Sequence, residues 1–486
     1  MEHTKANGAR FWQRPTHQMA SVEVNKASLG GLLAPLLSYK FLLPMPQLRA
    51  GFAYAGSRLR LRRFVRDLLQ GHRPLKIGAL GGSVTWGQGA SNRTHTGWLA
   101  LVAHWLAGSF PLVNITARNG AVPATPASYM VMCLEHYVDP DVDLVFLEYV
   151  LDNGMQDDVF NNEIVAVMER LIRKLLDLPG HPAVVLMQVL PPGMATRGYL
   201  GAVGFQHTLE DLEGSLAQYY DVQYLSLRTA VYHLAALESE GFRRDQLFVD
   251  QYPSDAGHRI MADLVAYMIQ DTALDLVMDP FSTDEISALQ KRLPDPMYDG
   301  NIAPNRTLCL IGQLLVQAVA SANGFDYVNE GSAIRPKWGY VALTPGARLV
   351  LRFDTRRHLP GANPDELVGL YLQYLKSYEH MGIASIRCTS GCNCKDAEVD
   401  AHIPEHGSGT YQMRLMVSQS EACELTTTVS ERTSSGQHKF KVSGVVISET
   451  QSSANMLDGT ADPQGRLVLH DSEEDKDVRM RRRRRR

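Results

Sequence analysis

The sequence predicts a two-part molecule: a doubly wound α/β domain followed by an antiparallel β-sandwich. Three observations carry this. Between residues 56 and 275, short runs rich in Val, Leu and Ile alternate with helical patterns, as strands buried on both faces of a parallel sheet require. Between residues 306 and 448, apolar runs are punctuated by Gly, Pro, Asn and Ser, and no long helical pattern intervenes. A stretch carrying Pro280, Pro294, Pro296 and Pro304 separates the two.

In order, residues 1–55 show no clear period and read as an N-terminal extension. Leu59, Leu61, Phe64, Val65, Leu68 and Leu69 then recur at helical spacing with arginines between them, which predicts an amphipathic helix. Predicted strands follow near 76–80, 112–117, 142–151, 183–190 and 222–227. Predicted helices fall near 97–106, 127–137, 160–178, 207–220 and 255–270. Residues 276–305 read as a linker with one short helix near 283–292. The second domain has strand patterns near 348–353, 367–375, 383–388, 411–417 and 439–447. Residues 449–486 are polar, end in Arg481–Arg486, and read as a disordered charged tail.

Composition limits the function. The chain has 486 residues, 45% hydrophobic and 21% charged, with a net charge of −4, so it can bury a large core and does not suggest general nucleic-acid binding. No run of about 20 uninterrupted apolar residues exists, which predicts no membrane-spanning helix. Met1–Gln18 is polar and does not resemble a signal peptide. Cys133 lies in a helical pattern and reads as a buried apolar thiol, and Cys309 is isolated. Cys388, Cys392, Cys394 and Cys423 cluster; disulfides are favoured over a zinc site of Cys392 and Cys394 with His402 and His406. With sequons at Asn92, Asn114 and Asn305, the cluster leans toward an oxidising compartment.

The most informative segment is Ile77-Gly78-Ala79-Leu80-Gly81-Gly82-Ser83. In a doubly wound sheet, ligands bind at the carboxyl ends of strands, where Ser83 falls. A phosphate-binding loop is excluded because Gln88, not Lys, follows Gly87, and the glycine spacing from Gly78 is wrong for a dinucleotide fingerprint. With three further blocks, this segment resembles the SGNH (GDSL-like) hydrolase superfamily, whose members have a three-layer, flavodoxin-like sheet and usually hydrolyse esters. Gly81-Gly82-Ser83 matches the nucleophile block, with Gly82 in place of the more frequent Asp. Asn119-Gly120-Ala121-Val122-Pro123-Ala124 resembles the second block, where Ala124 replaces a glycine whose N–H serves an oxyanion hole.

In the third block, Glu148-Tyr149-Val150-Leu151-Asp152-Asn153, related plant, algal and fungal sequences end in Asn-Asp. Asp152 therefore occupies the place of the oxyanion asparagine, and Asn153 substitutes only through a one-residue shift. The fourth block, Asp250-Gln251-Tyr252-Pro253, resembles Asp-x-x-His-Pro, with Tyr252 where the histidine stands and Asp250 one residue too near. Asp255 and His258 form a literal Asp-x-x-His, though Ser254 reads as a helix N-cap that puts both in a first helical turn. His258 is either the base that has taken over or a packed helix-entry histidine. A serine without a base is a poor nucleophile.

Lys376-Ser377-Tyr378-Glu379-His380-Met381-Gly382 is similar to a motif that follows SGNH domains in plant and algal proteins. That resemblance implies a secretory-pathway or extracellular protein acting on glycans. Trp338, Tyr374 and Tyr378 are either sugar-stacking or core aromatics. The expectation is an ester hydrolase, narrowed by the resemblance to an O-acetyl esterase of a glycan, with a degenerate site and no metal or cofactor. In it, Ser83 is nucleophile; His258, Asp255 and Asp250 are the remaining catalytic candidates; Ser83, Ala124, Asn153 and Asp152 are oxyanion candidates; Gly82 and Tyr252 touch substrate. The alternatives are an inactive glycan-binding protein on the same fold and an O-acyltransferase.

Overall fold

The computed structural model describes residues 33–448 apart from 124, 154–158, 193–204, 207, 303–307, 333–335, 358–362 and 405–407. The charged tail, the first 32 residues, the Asn305 sequon and Ala124 thus lie outside the described residues.

The first domain is built on a sheet of β1 (Phe52–Tyr54), β2 (Leu75–Gly81), β3 (Ile115–Asn119), β4 (Leu144–Glu148), β5 (Ala183–Gln188) and β6 (Gln223–Ser226). Its order is β1-β6-β5-β4-β2-β3, with every pair parallel except β1 with β6. Without β1 this is the flavodoxin-like order, and the chain reverses direction across the sheet between β2 and β4, where such folds open a crevice. Strands β4 and β5 are buried along their whole length because helices cover both faces, which is why they read as unbroken apolar runs. The helix Glu163–Leu176 is capped by Asn162, which accepts from Val165 N–H, and Asp255–Met278 by Ser254, which accepts from Gly257 N–H.

Two segments outside the bounds read for the first domain pack onto it. Leu33, Leu36, Leu43 and Leu48, read as extension, pack into the main core, and β1 pairs with β6. Their elements are too short to show a period. In the stretch read as a linker, a helix spans Thr283–Leu289, and Glu169 accepts hydrogen bonds from Met297 N–H, Tyr298 N–H and Asn301 Nδ2.

The β domain comprises β9 (Leu308–Ile311), β10 (Val319–Asn323), β11 (Asp326–Asn329), β12 (Trp338–Ala342), β13 (Arg348–Phe353), β14 (Val368–Ser377), β15 (Ile383–Ser390), β16 (Ala397–Asp400), β17 (Ser408–Val417), β18 (Cys423–Val429) and β19 (Phe440–Ser448). It is an antiparallel sandwich of sheets β10-β13-β18-β15-β16 and β11-β12-β19-β14-β17, with β9 added to β19. A small apolar seam of Tyr129, Met132, Cys133, Cys309, Tyr371 and Val446 joins it to the first domain. Cys133 is not a free thiol, as its helical setting had suggested, but bridges to Cys309 across that seam. The clustered cysteines pair as Cys388–Cys394 and Cys392–Cys423.

Candidate active site

Strand β2 ends at Gly81, and Ser83 opens a one-turn helix, Ser83–Trp86, at the crevice between β2 and β4. The two preceding glycines are required by close approach. A Cβ on Gly81 would stand 2.6 Å from the Glu148 carbonyl oxygen, and one on Gly82 would stand 2.0 Å from Asp152 Oδ2. Ser83 is half-buried, and among the described residues its hydroxyl has no hydrogen-bond partner.

The turn is held from below. Glu148, fully buried at the end of β4, accepts from both Thr85 N–H and Thr85 Oγ1 at 3.0 Å through Oε2. Asn119, at the end of β3, donates from Nδ2 to the Thr85 carbonyl at 2.7 Å and accepts from Ala121 N–H at 3.1 Å. Val122 N–H donates to the Gly81 carbonyl at 2.9 Å. Glu148, Asn119 and Thr85 thus position the nucleophile turn. The sequence offered Asn119 and Glu148 as block members but no sign of these bonds.

Asp152 and Asn153 face different ways. The Asp152 carboxylate lies against Gly82, with Oδ2 buried and unpartnered. The Asn153 amide is committed elsewhere: Oδ1 accepts from Ala127 N–H at 2.9 Å and Nδ2 donates to Glu213 at 3.2 Å. Asp152, not Asn153, is therefore the third-block side chain that lies against Gly82, the residue before Ser83. Glu213 also accepts from Gln188 Nε2 at 2.6 Å. Burial pushes the Asp152 and Glu213 carboxyls up to about 7. Burial, with the neighbouring Asp152, also holds Glu148 well above the usual carboxylate range.

The fourth block forms a two-residue hairpin pair, β7 (Phe248–Val249) with β8 (Tyr252–Pro253). It packs on the turn after Ser83: a Cβ on Gly89 would meet the Pro253 carbonyl oxygen at 2.3 Å and Tyr252 Cβ at 2.8 Å. Tyr252 thereby stands beside the nucleophile loop. Asp250 is exposed with a left-handed backbone (φ 59°), and its carbonyl accepts from Arg244.

His258 is fully buried in the first turn of Asp255–Met278, as the N-cap reading of Ser254 expected. Its Nε2 lies 3.2 Å from the Gln88 carbonyl oxygen, which fixes that nitrogen as the N–H, and its Nδ1 is buried without a partner. Burial holds its pKa below the usual imidazole range, so the ring is neutral. No described hydrogen bond joins it to Ser83. Asp255 is instead the anchor of a neighbouring loop, accepting from Ser91 N–H at 2.8 Å, Ser91 Oγ at 2.5 Å and Thr96 Oγ1 at 2.7 Å.

A cleft of about 460 Å³ runs from this turn onto the β domain. Trp86, Ala121, Val122 and Pro123 form one wall; Trp338, Gln373, Thr410, Lys441 and Ser443 form the other. Trp338 is 46% exposed and stacks on Tyr327 at 5.0 Å. Gln373 Nε2 and Ser443 Oγ are buried without partners in that wall. Tyr374 is a core residue stacked on Phe440.

Residues 79–260 match the GDSL-like Lipase/Acylhydrolase family. Among solved structures, the chain is similar to a two-domain esterase (CEX) active on acetylated mannans, at 20% identity and a TM-score of 0.60, over 83% of this chain and 99% of that one. The same esterase co-crystallized with mannopentaose gives 19% identity and a TM-score of 0.59, over 85% and 99% of the two chains. No curated protein sequence matches. The architecture read from the sequence, an SGNH-type α/β domain followed by a β-sandwich, is therefore the one the chain adopts.

Proposed function

We propose that this chain, whose residues 79–260 belong to the GDSL-like lipase/acylhydrolase family, removes acyl groups from an O-acylated glycan held between its two domains. The observation that carries the reading is the cleft. It begins at Trp86, on the nucleophile turn, and ends at an exposed, stacked tryptophan with unpaired amide and hydroxyl groups beside it. Sugar rings suit such a surface, since their apolar faces stack on aromatics and their hydroxyls pair with amides. The similarity to an esterase active on acetylated mannans points the same way.

In this reading Ser83 Oγ attacks the acyl carbonyl, and the N–H groups of Ser83 and Ala124 receive the developing oxyanion. The ester C–O bond breaks, the sugar oxygen leaves with a proton, and water then hydrolyses the acyl-serine. The slow point is the serine proton. Tyr252 stands at the histidine's place, and a phenol ordinarily ionises near pH 10. His258 has its N–H on Gln88. These facts also favour a second reading, a glycan-binding protein that hydrolyses little or nothing. No metal or cofactor enters either mechanism. All six cysteines are paired, which supports a secretory or extracellular setting. Among the described residues no helix is long and apolar enough to cross a membrane.

The test pairs binding with acetate release, using an O-acetylated mannooligosaccharide and the full chain. Ser83→Ala is expected to abolish release and keep binding; Trp338→Ala is expected to weaken binding, by roughly 10-fold at most. Release that survives Ser83→Ala places the chemistry elsewhere. Binding without release establishes the second reading, and no binding defeats both.

A further inference from the structure

Two buried carboxyl groups lie near the Ser83 turn, each with an oxygen that has no hydrogen-bond partner among the described residues. Glu148 spends Oε2 on Thr85, while its Oε1 is buried and unpartnered. Asp152 lies against Gly82 with Oδ2 buried and unpartnered. A buried, unpaired carboxylate oxygen is costly, and two ionised carboxylates side by side are costlier still. The titratable groups that feel Asp152 are Glu148 and Tyr149 from the end of β4, and Glu213 acts in turn on Glu148. No lysine or arginine contributes to either carboxyl among the described residues. The unpaired oxygens are the mark of a missing proton, and the absent side chain of Gly82 is what lets the Asp152 carboxyl lie against the residue before Ser83.

We propose that Asp152 is a catalytic residue that works as a neutral carboxylic acid, its O–H donating to the acyl oxygen beside the Ser83 N–H. A protonated carboxyl has one donor and the shape of the asparagine amide that the resemblance places there. A carboxylic acid kept neutral by its surroundings is a competent oxyanion donor. The proposal rests on the acylhydrolase reading. It reverses the sense of the Asp152 departure: the residue is a donor with a pH limit, not a repulsive charge.

The sign follows directly. The donor is the protonated form, so Ser83-dependent turnover is present below a pH of about 7 and falls above it. The experiment uses the full chain and a small activated acetyl ester, with Ser83→Ala as the blank. In the parent, the Ser83-dependent rate at pH 8.5 is expected to be roughly 30-fold below its share of the hydroxide-corrected trend. Asp152→Asn removes that alkaline fall, because an amide donates at every pH. Asp152→Ala loses roughly 10²–10³-fold at pH 6. Infrared difference spectra across pH 6 to 8 read the protonation without turnover: the carboxylic C=O signal that titrates in the parent loses the Asp152 component in Asp152→Asn and keeps the Glu213 component. A parent rate that rises through pH 7 with Asp152 ionised overturns the proposal and leaves the acylhydrolase reading standing. A parent and an Asp152→Asn variant that both lack Ser83-dependent turnover defeat that reading, and the donor role with it.

Discussion

Replacing the inter-domain bridge by Cys133→Ala with Cys309→Ala is expected to lower the stability of the first domain's contact with the sandwich by several kcal/mol. The bridge closes a loop of 176 residues. The chain-entropy relation for cross-links gives about 5 kcal/mol for a loop of that length when the two domains unfold together. Both cysteines lie inside the seam with Tyr129, Met132, Tyr371 and Val446, and removing two sulfurs also leaves a small packing defect there. The measurement is urea unfolding followed by far-ultraviolet circular dichroism, beside intrinsic fluorescence. The parent should lose both signals together. The double variant should shift to lower urea and separate into two transitions, because only the seam then couples the domains. Coincident transitions at an unchanged midpoint would refute the reasoning. A fragment of residues 50–300 would expose Tyr129 and Met132 of the same seam.

Two further outcomes are expected. The stability of the parent should fall as pH rises from about 5 to 8. Asp152 and Glu213 have raised carboxyls, so their contribution is complete below the unfolded values and is lost as pH climbs through about 7. For Glu213 alone this is roughly 3 kcal/mol, and urea midpoints at pH 5, 6.5 and 8 that fall no less steeply in Glu213→Gln would contradict it. Gly82→Ala should destabilise the chain by roughly 1–3 kcal/mol, because its Cβ would land 2.0 Å from Asp152 Oδ2. Adding Asp152→Ala should restore most of the loss in a thermal melt; a Gly82→Ala chain as stable as the parent would mean that Asp152 does not sit there.

The parts of the fold that were legible in the sequence are those whose signal is local. The buried strands β4 and β5 announce themselves as unbroken apolar runs, and the Ser254 cap marks the start of the long helix beside its own first turn. The parts that were not legible depend on partners far along the chain. Cys133 sits in an apolar helical setting, and nothing within 170 residues of it points to Cys309. Leu36 and Leu48 belong to segments too short for a period, and they are buried only because the helix Asp255–Met278 and its neighbours lie across them. At the site, the sequence named Asp152 and Asn153 as competing candidates for one role; their side chains separate only through Ala127 and Glu213, which no spacing rule connects to them.

The same distance dependence changes how the departures at Gly82 and Asp152 are understood. Along the chain they are two separate losses: an aspartate missing from the first block and an asparagine missing from the third. In space they are one arrangement. The Asp152 carboxyl lies where a side chain at position 82 would begin, so a chain with aspartate at 152 in this position can carry only glycine at 82 without moving one of them. A carboxyl is in effect kept beside the nucleophile, supplied from the end of β4 instead of the end of β2. That exchange places it near Glu148, which already holds the turn through Thr85, and burial retains on Asp152 a proton that a solvated aspartate would lose. Wear at this site is therefore unequal. On the proposed reading, the base position, where Tyr252 stands, lacks an acceptor for the serine proton, and His258 nearby in sequence spends its N–H on Gln88. On the role proposed for Asp152, the oxyanion position has exchanged one donor for another that works only on the acid side of neutrality.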